Sequence, residues 1–330
     1  MGSSSARLPV PALPPRILID YATRCNLRCP MCPVWGSSDS GAIDSVRGIM
    51  QRETIDALLS SLNHSPDTLV QPSLYGEPLL IPDFKAHIYE LKHAHARIAL
   101  NTNGLGLDAQ MCEFLVESRI DSVFISIDAC SRDVLRTIRG IDKIESIESG
   151  VFRLLAAREH ASARLPRIGV SFVVQEANQH QRNAFIERWA QCVDCVRIAL
   201  MFDSSRGTYP DMDTRGLNRI PCPVLYETMP VHNDGSVSIC CLDGFKETTV
   251  GNIREEGISS VWNGEAFTRI RHYHETQQWD KVPFCRSCNG WAQHIFEETR
   301  TSTHLIRKSP QFIYYNRLDR LDNWKREIDV

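Results

Sequence analysis

From Arg16 to about Phe202, short β-rich runs alternate with helical patterns, and this alternation confines the chain to repeated βα units around a parallel sheet. Ile17 to Asp20 opens the series. Ile55, Leu58, Leu59 and Leu62 share one helical face, Thr68 to Leu74 reads as a strand, and Phe84, Ile88 and Leu91 form the next helical face. Further strands are expected at Arg97 to Thr102, Ser122 to Ile127, Ile168 to Val174 and Val196 to Phe202. Helices are expected near 108–117, 144–157 and 181–190. Six strands predict an α/β fold, a partial (βα)6 barrel whose ligands gather at the C-terminal strand ends.

After Ser204 the pattern breaks into Gly-, Asp- and Pro-rich turns, followed by a hairpin over Met229 to Ile239 that turns at Asn233-Asp234-Gly235. The expected divisions are a flexible tail over 1–15, the barrel over 16–205, a small domain over 206–300, and a helical tail over 301–330. That tail is expected to pack back through Leu318, Leu321 and Trp324. With 42% hydrophobic residues in 330, the chain can bury a sizeable core. A net charge of -3 leaves no electrostatic footprint for nucleic acid, and no apolar run approaches a membrane span. Small molecules or a peptide are the expected partners.

Twelve cysteines without a secretion signal point to a reducing cytoplasm, where clustered thiols bind metal more often than they form disulfides. Cys25, Cys29 and Cys32 lie in one tight loop directly after the first strand. Three ligands leave two readings open. One is a zinc knuckle closed by a distant Cys or His; the other is an iron-sulfur cubane with one open iron.

The loop resembles the CxxxCxxC signature of the radical SAM superfamily. The resemblance implies a 4Fe-4S cluster whose open iron chelates S-adenosylmethionine. Reductive cleavage of that cofactor then yields a 5'-deoxyadenosyl radical that takes hydrogen from a substrate C–H bond. Met31 stands where an aromatic residue is usual, and its thioether can pack on the adenine. Leu74-Tyr75-Gly76-Glu77-Pro78 resembles the family's GGEP motif, with Glu77 placed to accept from the methionine ammonium. Asn101-Thr102-Asn103-Gly104 resembles its TNG turn, and Ser126-Ile127-Asp128 its ribose-contacting strand. The implied cofactor contacts are therefore Met31, Tyr75, Gly76, Glu77, Asn103, Ser126 and Asp128, the last two sharing one face by alternation. Gly104-Leu-Gly106 looks like part of a dinucleotide fingerprint, but it falls in the third βα unit and leaves the cysteines unexplained.

Cys222, Cys240, Cys285 and Cys288 form a second group, separated by 17, 44 and 2 residues. Locally a zinc ribbon using His272 or His274 would also satisfy this pattern. The surrounding segment resembles the SPASM/twitch extension of radical SAM enzymes. Since no cysteine follows Cys288, the resemblance implies a twitch domain, a β-hairpin plus helix holding one auxiliary 4Fe-4S cluster.

Of the remaining thiols, Cys112 reads as core and Cys192 and Cys195 as buried. Cys130 and Cys241 are candidate hydrogen-atom donors, which would give epimerisation; without a donor the outcome is dehydrogenation. The resemblance to single-cluster twitch enzymes implies a sugar-derived or aminocyclitol substrate of antibiotic-type biosynthesis and a flavodoxin or ferredoxin reductant. A ribosomal peptide is the alternative substrate, and a zinc-binding interaction module the alternative outside enzymes.

Overall fold

The computed structural model describes residues 9–62, 68–204 and 206–323. The barrel strands are β1 (Arg16–Ile19), β2 (Leu69–Gln71), β3 (Arg97–Thr102), β4 (Ser122–Ser126), β5 (Arg167–Val174) and β6 (Cys195–Leu200). The rest of the chain adds β7 (Thr228–Val231), β8 (Ser236–Ser238), β9 (Thr249–Asn252), β10 (Glu297–Arg300), β11 (His304–Lys308) and β12 (Phe312–Arg317). All twelve join one sheet in the order β10-β11-β12-β6-β5-β4-β3-β2-β1-β7-β8-β9. The run from β6 through β1 to β7 is parallel, and the outermost strands β10 and β9 do not meet, so the barrel stays open.

The two faces of the sheet separate by alternation. Val70, Leu100, Ile125, Val170 and Ile198 point into the main core, where Ile88, Leu91, Leu115, Leu154 and Trp189 from the crossover helices meet them. Their neighbours Gln71, Asn101 and Arg197 face the other way and bond in a row: Asn101 Nδ2 donates to Gln71 Oε1 at 3.1 Å, and Arg197 Nη2 donates to Asn101 Oδ1 at 3.2 Å. The concave side is therefore polar. Helix ends follow local chemistry, as where the Asp108 carboxylate accepts from Met111 N–H at 2.8 Å and starts the helix Ala109–Glu117.

The hairpin turns as expected at Gly235, whose φ of 83° favours glycine. Its first strand also continues the parallel sheet, with β7 beside β1. The expected helical tail over 301–330 is corrected: β11 and β12 form an antiparallel ribbon with β10, and β12 pairs antiparallel with β6. The β-branched and aromatic run Phe312-Ile-Tyr-Tyr315 suits a strand, and pairing it with β6 satisfies an otherwise bare sheet edge. Leu318 to Asn323 forms a short 3-10 turn, while Trp324 lies outside the described residues. The described part of the N-terminal segment is held in place: the Pro11 and Ala12 carbonyls each accept at 3.0 Å, from Trp262 Nε1 and Asn263 Nδ2. Among the described residues no helix is long and apolar enough to cross a membrane.

Candidate functional site

The Cys25 to Cys32 loop leaves the end of β1 and is wrapped by its own backbone and by the neighbouring strand ends. Leu27 N–H points to Cys25 Sγ at 3.4 Å and Trp35 N–H to Cys32 Sγ at 3.3 Å. Burial raises all three thiols above the usual cysteine range, and each also feels the charge of another in the loop. Deprotonating three such thiols is costly unless a cation compensates them.

Gly76 sits where no side chain fits, since a Cβ there would lie 2.2 Å from the Ala22 carbonyl oxygen. This close approach brings Glu77 N–H to the Arg24 carbonyl at 2.7 Å and holds the end of β2 against the cysteine loop. The Glu77 carboxylate is buried and accepts from Thr102 Oγ1 at 2.5 Å, Asn103 N–H at 2.8 Å and Leu79 N–H at 3.3 Å. Burial raises its pKa, and these donors oppose the shift. Asn103 reaches from the same turn to Asn26 Oδ1 at 2.8 Å, tying β3 to the cysteine loop. On the far wall, Gln175 Nε2 donates to Met31 Sδ at 2.9 Å, and Ser171 Oγ lies 3.3 Å from Ser126 Oγ. Met31, Gly76, Glu77, Asn103 and Ser126 thus all lie at the strand ends around one loop.

Asp128 does not share that surface, which corrects the alternation argument. Strand β4 ends at Ser126, and Asp128 adopts φ 64°, which turns its side chain out of the strand register. Its fully buried carboxylate accepts from Val173 N–H at 2.8 Å and from Arg139 Nε and Nη2 at 2.8 and 2.5 Å. Arg139, which sequence reasoning missed, is a buried cation whose charge is maintained against burial by Asp128, Cys29 and Glu77. Its carbonyl lies 3.9 Å from Cys29 Sγ.

The second cysteine group collects around the hairpin end. Leu242 N–H points to Cys240 Sγ at 3.5 Å and Gly290 N–H to Cys288 Sγ at 3.3 Å, while Cys222 N–H donates to His274 Nδ1 at 3.3 Å. Burial raises Cys222, lifts Cys285 to about 12 and raises Cys288. Cys240 is raised by its bond to the Cys241 thiol and by burial. Cys241 therefore belongs to this group, and its carbonyl accepts from Tyr75 Oη at 2.5 Å. Cys130 stands apart: its thiol points to the Gln181 carbonyl at 3.7 Å, and the charges it feels are those of Glu148 and Arg188 on the helical layer. Cys112 and Cys195 are buried as expected, whereas Cys192 is only half-buried.

Among known proteins, the radical SAM superfamily profile matches residues 19–160, and the SPASM profile, described as an iron-sulfur cluster-binding domain, matches residues 222–289. The chain carries a radical SAM domain and a SPASM domain. The chain matches the crystal structure of BtrN in complex with AdoMet and 2-DOIA with a TM-score of 0.55 at 20% identity, over 84% of its length and 93% of that one. It matches native anSMEcpe with bound AdoMet with a TM-score of 0.60 at 15% identity, over 83% and 88%. Among curated relatives, a tungsten-containing aldehyde ferredoxin oxidoreductase cofactor-modifying protein of Pyrococcus furiosus is 22% identical over 83% of this chain and 86% of its own length. An S-adenosyl-L-methionine-dependent 2-deoxy-scyllo-inosamine dehydrogenase of Niallia circulans is 23% identical over 83% and 92%.

The radical SAM domain brings S-adenosylmethionine and one 4Fe-4S cluster, and the SPASM domain an auxiliary cluster. The donor chemistry fits both: soft thiols, mostly half-buried, in two groups with backbone N–H donors aimed at sulfur. Among the described residues no three Cys, His, Asp or Glu side chains close to the spacing of a finished metal site, so the fit rests on this donor chemistry. The radical SAM loop also uses Asn26, Trp35, Arg139 and Gln175, none of which the sequence singled out. Asn26 and Trp35 adjoin the cysteines in sequence, whereas Arg139 and Gln175 reach them only through the fold.

Proposed function

We infer that the chain dehydrogenates a secondary alcohol on a sugar-derived or aminocyclitol-type small molecule by radical chemistry. Cys25, Cys29 and Cys32 are assigned to the radical SAM cluster, and Cys222, Cys240, Cys285 and Cys288 to the auxiliary one. Bound there, S-adenosylmethionine and the first cluster supply a radical able to take hydrogen from an unactivated C–H bond. Glu77, Asn103 and Ser126 offer polar contacts for the cofactor, and the buried Arg139 cation offers a counter-charge for its carboxylate. Met31, bonded to Gln175, supplies soft apolar surface for the adenine. The polar row Gln71, Asn101 and Arg197 on the concave face suits a hydroxylated ring.

One observation favours dehydrogenation over epimerisation: the Cys130 thiol is directed away from the cofactor loop. It points to the Gln181 carbonyl at 3.7 Å, on the side of Glu148 and Arg188 in the helical layer. The Niallia circulans relative, named as a dehydrogenase of 2-deoxy-scyllo-inosamine, supports the same substrate class. A flavodoxin or ferredoxin is the proposed electron donor.

The test incubates reduced enzyme, S-adenosylmethionine and candidate aminocyclitols in deuterium oxide. Formation of 5'-deoxyadenosine with a ketone that carries no solvent deuterium supports the reading. An inverted alcohol carrying one deuterium sinks it in favour of epimerisation, and turnover of a peptide alone would move the substrate class.

A further inference from the structure

Three hydrogen bonds run without a gap from the first cysteine loop to the second cysteine group. Trp35 N–H points to Cys32 Sγ at 3.3 Å. The indole Nε1–H of Trp35 donates to the Tyr75 carbonyl at 2.8 Å. The Tyr75 hydroxyl then donates to the Cys241 carbonyl at 2.5 Å, beside Cys240. Residues 32, 75 and 241 come from three separate parts of the chain, and Tyr75 is the only one of them whose side chain spans from the one group to the other among the described contacts.

Packing reinforces the bridge. The Tyr75 ring shares a small core with Cys25, Cys32, Val34, Trp35 and Phe245. A Cβ on Gly244 would lie 2.8 Å from Val34 and 3.3 Å from the end of the Tyr75 ring, so the loop after Cys241 rests directly on the first loop. That loop is stiff, because the buried Asp243 carboxylate accepts from Phe245 N–H at 3.3 Å, Glu247 N–H at 3.0 Å, and Thr248 N–H and Oγ1 at 2.7 and 2.6 Å. A stiff loop moves as a unit when one of its ends is pulled.

We propose that Tyr75 is a positioning residue that couples the two iron-sulfur sites, so that assembly of the first cluster orders the Cys240 to Thr248 segment that carries a ligand of the second. The Tyr75 side chain lies partly buried between the two loops and contacts both. The proposal rests on the assignment of both cysteine groups as cluster sites.

Hydrogen exchange over residues 239–248 tests it, comparing the two-cluster enzyme with the Cys25→Ala, Cys29→Ala, Cys32→Ala triple variant. Exchange at least tenfold faster in the triple variant is expected, and the two rates should converge when both proteins also carry Tyr75→Phe. Phenylalanine keeps the ring and removes only the hydroxyl bond. Tyr209→Phe is the control, because Tyr209 lies near Cys240 and Cys288 but packs with Met212 and Trp291 away from the first loop. The response should survive there. Equal exchange with and without the first cluster overturns the proposal, as does a tenfold difference that persists in Tyr75→Phe or vanishes in Tyr209→Phe. Should Tyr75→Phe fail to fold, Trp35→Phe removes the preceding link and permits the same comparison. Iron and sulfide analysis separates the two readings: lack of iron at either cysteine group fails the cluster assignment, whereas two clusters without a response fail only the coupling.

Discussion

Asp128 grips Arg139 through two guanidinium nitrogens, and the Arg139 carbonyl lies 3.9 Å from the Cys29 sulfur. This buried pair forms part of the wall behind the cysteine loop, although neither residue adjoins a cysteine ligand in sequence.

Removing one partner strands the other charge. Asp128→Ala should cost roughly 3–5 kcal/mol, because the Arg139 guanidinium would be left buried without its carboxylate. Urea unfolding gives the loss directly. A combined Asp128→Leu, Arg139→Met variant should regain most of that stability yet bind S-adenosylmethionine more weakly, since the positive charge beside Cys29 is gone. Equal cofactor affinity in the double variant would count against a role for Arg139 in binding.

Glu77 tests the neighbouring strand end. Glu77→Ala leaves Thr102 Oγ1 and Asn103 N–H buried without their acceptor, a penalty of about 1–3 kcal/mol for each group left unpaired. Since Asn103 in turn holds Asn26, cofactor affinity should also fall at least tenfold, measurable by calorimetry on the reconstituted enzyme.

Acid should loosen the C-terminal domain through His232. Burial, aided by the nearby Lys246, depresses this imidazole to about 4, and the ring bonds Ser238 Oγ at 2.7 Å. In the unfolded chain it titrates near pH 6.5. Above that pH both states are neutral and stability is unaffected; between about 6.5 and 4 only the unfolded state takes up the proton, so stability falls by roughly 3 kcal/mol. His232→Gln should flatten this part of the melting-temperature profile.

Two glycines should differ sharply in how much alanine costs them. Gly76→Ala would drive a methyl group to 2.2 Å from the Ala22 oxygen and 3.2 Å from that of Arg24, forcing β2 away from the cysteine loop. Little soluble, cluster-competent protein is expected. Gly140, at φ 73° with nothing within 4 Å of an added Cβ, carries only the backbone penalty of about 1 kcal/mol. Comparable expression and iron content for both variants would contradict this account of Gly76.

The sequence was most readable where alternation was strong and local. Arg97 to Thr102 is a strand with the expected ends, and the Asn233-Asp234-Gly235 turn closes its hairpin. Misreadings came where one rule was extended past its support. Alternation was carried beyond Ser126, but a left-handed backbone at a non-glycine residue leaves no local mark, so Asp128 was placed on the wrong surface. In the tail, Leu318 and Leu321 drew attention to a helix, while the true signal lay in the aromatic and β-branched stretch Phe312 to Tyr315. Arg139 was invisible because its partner Cys29 lies 110 residues away.

The ribbon that borders β6 also sets a schedule. Leu200 leaves the ribosome 112 positions before Phe312, so the nascent barrel must wait with one flank uncovered while the whole iron-sulfur extension is synthesised. Unpaired flanks of this kind recruit other chains. Production of this protein should therefore benefit from slow translation and chaperone supply, because its first domain is finished only by the last described strand.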